Sequence, residues 1–195
     1  MRLEDELFYC ENLTLSQKDT VDIADFTVIC QEGKGLLNYL QNHAVDDEVQ
    51  GLMRTYMIRM KGNDECAGFF SLKAGLVSQR ELLIDGKIQF DTLPGVELAN
   101  FAVNGNFVHK YRVKGLGGVI FSDFILPIIR KVSTIVGVNL VFLFALPYME
   151  LMGTYEEYGF RRLALEAEIM LHRRLKPAYD QSCIFMYMPL NSLNA

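Results

Sequence analysis

Eighteen consecutive residues, Val132–Met149, carry no charged side chain. That length touches the lower limit for a membrane-spanning helix. Gly137 and Asn139 interrupt the run and Pro147 lies near its end, so it divides into a helix end, a turn and the segment VNLVFLFAL (138–146). A short apolar run rich in Val, Leu and Phe fits a strand buried on both faces. Such a strand belongs inside a sheet covered by helices, which points to an α/β (α+β) fold rather than a membrane protein. The chain has the material for it: 195 residues, 50% hydrophobic and 22% charged, suit one domain spanning 1–195. The N-terminus, MRLEDELFYC, has acids where a signal peptide needs a basic segment, so a soluble cytoplasmic protein is expected.

Around that strand the remaining elements fall into order. ELFYCENLT (6–14) reads as a first strand, and Gly35 opens a helical pattern carried by Leu36, Leu37, Leu40 and Ala44. TYMIRM (55–60) and ECAGFFSLKAG (65–75) read as strands joined by the turn KGND. Leu76 to Leu93 fits a helix followed by a loop. GVELANFAVN (95–104) is a strand, GNFVHKYRVK (105–114) a loop, and 115–137 a helix. Pro127 removes one hydrogen bond in that helix, so a kink or break is expected near Asp123. A short helix over 148–158 and a strand from Phe160 follow. The run 163–175 fits either a helix or an alternating strand, and CIFMYMPL (183–190) is a closing strand. Antiparallel strands thus come first, then a strand–helix–strand unit with two parallel strands.

The segment Arg112-Val113-Lys114-Gly115-Leu116-Gly117-Gly118 lies between a strand and a helix. Its glycines let backbone approach a ligand, and the helix that follows presents unpaired N–H groups and the positive end of its dipole. Together they suit a diphosphate, with Arg112, Lys114 and Lys110 adding positive charge. G-x-x-x-x-G-K-[ST] is absent, and G-x-G-x-x-G fails because Ile120 occupies its last position. The four cysteines form no C-x-x-C pair and no histidine lies near them, so no metal is expected and four buried reduced thiols are.

Strand, R-x-x-G-x-G-G, helix, apolar strand and then Tyr155-Glu156-Glu157-Tyr158-Gly159-Phe160 resembles the GNAT N-acetyltransferases. Arg112, Gly115 and Gly117 match that superfamily's [QR]-x-x-G-x-[GA] loop. The resemblance implies a GNAT-like fold, a mixed twisted central sheet of about six to seven strands flanked by helices. It also implies acetyl-CoA as co-substrate, held by the 112–118 loop and by the backbone of Phe101, Ala102 and Val103. Tyr155 is implied as the acid that protonates the leaving thiolate. Glu97 stands where the histone-acetylating branch carries its base, and His109 is an alternative. The N-terminal half, LLNYLQNHAVDDEVQGLMRTYMI then GFFSLKAGLV, resembles bacterial toxin-like and uncharacterised GNAT proteins.

This reading expects acetyl transfer to a primary amine of an unidentified acceptor. The alternatives are a toxin-like acetylase of aminoacyl-tRNA and a catalytically silent CoA-binding protein. A formal net charge of -5 weighs against tRNA, which needs a basic surface. The apolar closing strand makes a homodimer possible, as many GNAT proteins pair through it.

Overall fold

The computed structural model describes residues 2–84, 87–172 and 182–190. The chain divides into two compact units, Met1–Lys73 with Leu98–Ile128, and Ala74–Glu97 with Ile129–Ala195. The described strands hydrogen-bond in the order β1-β2-β3-β4-β5-β6-β8-β7. Eight strands exceed the expected six to seven because short edge strands lie at both ends.

In the first unit, β1 (Arg2–Glu4), β2 (Phe8–Asn12), β3 (Arg54–Met60) and the start of β4 (Cys66–Ile84) form an antiparallel meander. The end of β5 (Lys87–Val103) runs beside β4, where the Asn104 N–H donates to the Ala67 carbonyl at 2.8 Å. One face of these strands is covered by helices α1 (Gln17–Asp25), α2 (Lys34–Asn42) and α3 (Ala44–Gln50), with Phe26, Tyr39 and Leu40 packed on Met57, Phe69 and Ala102. Helix α1, absent from the sequence reading, starts with a capping box. The Ser16 hydroxyl accepts from the Asp19 N–H, and the Asp19 carboxylate accepts from the Ser16 N–H. On the other face Gly68 meets α5 (Leu116–Ile120). A Cβ at Gly68 would come within 2.8 Å of the Ala102 carbonyl oxygen and 2.9 Å of Ile120 Cδ1, so glycine is required there.

The helix expected over 115–137 is α5, a π-helical turn Phe121–Ile125, and α6 (Leu126–Ile135). The Leu126 N–H donates to Phe121, five residues back. Pro127 has no N–H and would clash with the Asp123 carbonyl, and the wider turn removes both problems. The expected break near Asp123 takes that form.

In the second unit β5 pairs in parallel with β6 (Leu140–Ala145) over Gly95–Glu97 and Leu140–Phe142, as the strand–helix–strand reading requires. β6 is antiparallel to β8 (Ile184–Pro189), and β7 (Arg161–Arg162) pairs with β8's other edge. The Phe142 ring lies where Cβ atoms of Gly75 and Gly95 would be, at 2.6 and 3.2 Å. α7 (Met149–Glu157) and α8 (Leu165–His172) complete the described part. Within the uncertain run 163–175, Leu165–His172 is therefore helical, and 173–175 lie outside the described residues.

Three further expectations change. Residues 76–84 and 87–93 belong to strands β4 and β5, not to a helix and loop; the overlooked sequence signal is Asp85-Gly86 between apolar runs. Residues 105–111 form helix α4 (Gly105–Tyr111) instead of a loop, because the Asn104 side chain caps it by accepting from the Asn106 N–H. Cys30 is exposed, whereas Cys10, Cys66 and Cys183 are buried. Among the described residues no helix is long and apolar enough to cross a membrane.

Candidate active site

The cofactor candidates all lie in the first unit. Phe101, Ala102 and Val103 end β5, Ala102 buried and the other two half-buried. Asn104 pins that end to β4: its side-chain nitrogen donates to the Cys66 carbonyl at 2.9 Å. α4 then leads to Arg112, which stands in the left-handed region at φ 53°. Holding a non-glycine residue there costs of order 1 kcal/mol, and such strain concentrates where a ligand is clamped. Gly115, at φ 73°, is also left-handed and is the N-cap of α5, and a Cβ there would meet nothing within 4 Å. The space over Gly115 is open, as a diphosphate requires.

The helix is held from beneath by Leu116, which is buried, while Gly117 and Gly118 are half-buried. Its first backbone bond runs from the Val119 N–H to the Gly115 carbonyl, so the N–H groups of Leu116, Gly117 and Gly118 have no intrahelical acceptor. Arg112 and Lys114 are exposed, Val113 between them half-buried, and neither cation makes an ion pair with a described carboxylate. Lys110 does not join them. Glu65 engages its ammonium group, which raises the lysine pKa and lowers that of the glutamate. Tyr111 packs on Phe107, centroids 4.6 Å apart, and its hydroxyl accepts from Asn63, so it fills a gap in the protein. His109 is exposed on α4.

The proton-transfer candidates lie in the second unit. Tyr155 is in α7 and only 9% exposed. Its ring stands edge-on to Tyr158 at 6.2 Å and to Phe160 at 5.7 Å. Tyr158 caps the helix, Gly159 turns left-handed at φ 96°, and the Phe160 N–H donates to the Tyr155 carbonyl. The Y-x-x-Y-G-F motif is thus a helix stop whose last aromatic folds back on its first. Burial pushes the Tyr158 phenol above its ordinary range. Glu97 is half-buried on β5 beside Phe142 of β6, where the described parallel ladder ends. Met186 is buried in the core, whereas Met149, at the start of α7, is 82% exposed. Among the described residues no group of three or more metal-ligating side chains occurs.

A mixed sheet with this strand order, a glycine-rich helix entrance after a central strand and a parallel β5–β6 pair make a GNAT-like fold. No protein-family model matches the chain. Solved structures do resemble it. A tyrosine-to-phenylalanine mutant of the AtaT toxin superposes with a TM-score of 0.70 at 17% identity, covering 100% of this chain and 96% of that one. The same mutant bound to the C-terminus of the antitoxin AtaR and acetyl-CoA gives 0.63 at 18%, over 98% and 97%. AtaT complexed with acetyl-methionyl-tRNAfMet gives 0.66 at 18%, over 96% and 97%. At these identities the likeness is one of fold.

Proposed function

We propose that the protein is an acetyl-CoA-dependent N-acetyltransferase whose acceptor is the amino group of an aminoacyl-tRNA. The observation that carries the first half is the 112–118 loop: two left-handed residues, open space over Gly115, three free helix N–H groups and two unpaired cations. These features fit the diphosphate of acetyl-CoA, and AtaT, of the same fold, binds that cofactor. In this reading the backbone of Phe101–Val103 receives the thioester oxygen as it becomes an oxyanion. Glu97 takes a proton from the acceptor amine, and Tyr155 gives one to the departing thiolate.

The second half is supported by the AtaT complex with acetyl-methionyl-tRNAfMet. The acidic balance that weighed against tRNA is unevenly spread. Residues 98–195 hold ten basic and seven acidic side chains, whereas residues 1–97 hold nine and seventeen. Arg112, Lys114, Arg130, Lys131 and Arg161 are exposed without ion pairs to described carboxylates. Under the same reading an antitoxin is the expected protein partner, as AtaR is for AtaT.

A panel of amines with a free-thiol readout for released CoA tests both halves. Charged tRNA should release CoA and become N-acetylated, and uncharged tRNA should do neither. Turnover of small amines or protein lysines, with none of charged tRNA, would transfer the assignment to a small-molecule or protein acetyltransferase.

A further inference from the structure

The core between α2 and strands β3, β4 and β5 contains one polar knot. Thr55 of β3 pairs with Ser71 of β4, and their buried hydroxyls are 3.0 Å apart. Tyr39 of α2 brings its hydroxyl to 3.5 Å from that of Thr55 and donates to the Met53 sulfur at 3.3 Å. The Asn100 side-chain nitrogen, from β5, reaches the same sulfur at 3.9 Å. Asn100 is 4% exposed, and its Oδ1 has no hydrogen-bond partner. Buried carbonyl oxygens without a donor are costly and rare in folded proteins, and those that persist mark a place for a water, an ion or a functional role.

The position of that oxygen says which ligand. Leu98, Asn100 and Ala102 are buried at alternate positions of β5, with Ala102 in the core built by α2. Phe101 and Val103 point to the opposite face, where Gly68 meets Ile120 of α5. The helix opening at the diphosphate loop therefore packs on one face, and Asn100 lies on the other, one residue before Phe101. A nucleophile must come within about 3–3.5 Å of the thioester carbon along an open line, and on one face α5 already packs against the strands at Gly68. We infer that Asn100 is an acceptor-binding residue whose Oδ1 accepts an N–H of the primary amine to be acetylated. The groups of the knot itself, an amide, three hydroxyls and a thioether, are neutral, and the Glu48 carboxylate borders them by accepting from the Thr55 N–H at 2.7 Å. Met53, Leu36 and Leu37, each half-buried, bring the knot close to the surface. The inference rests on the acetyltransferase reading above.

Asn100→Leu keeps the side chain's size and removes both polar atoms. Ligand-free Tm should stay the same or rise, because no bond to Oδ1 is lost. With saturating acetyl-CoA and methionyl-tRNA as acceptor, KM should rise between about fivefold and a hundredfold. The Tm increase caused by acetyl-CoA should be kept. Asn100→Ser, which cannot overpack the knot, should give the same change in KM. An unchanged KM in both variants, or a fall in ligand-free Tm in Asn100→Leu, overturns the subsite and leaves the acetyltransferase reading standing. Wild-type protein that does not acetylate methionyl-tRNA overturns the acceptor reading and the subsite together.

Discussion

Tyr155 and Glu97 are assigned opposite proton transfers, and that opposition separates them in experiment. A phenol of ordinary pKa near 10 matches the basicity of a leaving thiolate. Tyr155→Phe keeps the ring that packs on Tyr158 and Phe160 and removes only the proton. The rate should fall roughly 10²–10⁴-fold, with acetyl-CoA affinity, measured by titration, nearly unchanged. Glu97→Gln should slow the reaction most at low pH, where the acceptor amine is protonated, and recover as pH rises. Tyr155→Phe should show no such recovery, because alkali does not supply a proton to sulfur. Equal pH profiles for the two variants would remove the division of roles. The resemblance in sequence gave both residues their candidacy, and no sequence pattern placed Lys110 or Tyr111. Their partners Glu65 and Asn63 lie 45 and 48 positions earlier, brought near because β5 runs beside β4, which no local pattern encodes.

At the scale of elements, α1 is tied to the sheet through one buried arginine. Arg59 of β3 donates to Asp22 at 2.6 Å, Asp19 at 2.6 Å and Glu11 at 2.8 Å. Asp19 also receives bonds from the Thr14 and Ser16 backbone. Burial alone would raise the Asp19 pKa, but Arg59 and these donors outweigh it and hold the carboxyl down at about 2. A depressed folded pKa means stability that is present above the unfolded value near 4 and lost as pH falls toward 2. Asp19→Asn should therefore cost roughly 2–3 kcal/mol at pH 7 and flatten the acid limb of unfolding between about pH 4 and 2. A urea midpoint equal to wild type at pH 7 would contradict that role. Gly68→Ala should destabilise by about 1–3 kcal/mol, because the obstructing Ala102 carbonyl is backbone and cannot swing aside. Urea unfolding measures this, and an unchanged midpoint would mean that β5 can shift.

For the whole molecule, the apolar inner strands and the glycine-led helices were legible in the sequence, whereas two capped helices and residues 76–84 of β4 and 87–93 of β5 were not. VNLVFLFAL announced a central strand, and Pro127 announced the break that takes the form of a π-helical turn. α1 and α4 escaped because each depends on one cap, Ser16 or Asn104, more than on an apolar stripe. The apolar closing strand β8 is buried by its own chain, with β6 on one edge and β7 on the other, so its composition gives no independent reason for a dimer. The 112–118 loop was legible as spacing, but the left-handed Arg112 and the open space over Gly115 were not. Those two features make acetyl-CoA binding the claim on which the rest depends. Thermal unfolding of the whole chain across an acetyl-CoA titration tests it most directly. The account predicts a Tm that rises with ligand concentration, by mass action on the native state, and a rise abolished by Gly117→Val, whose branched Cβ blocks the backbone's approach to the diphosphate. A folded wild-type sample whose Tm does not move at millimolar acetyl-CoA would contradict it.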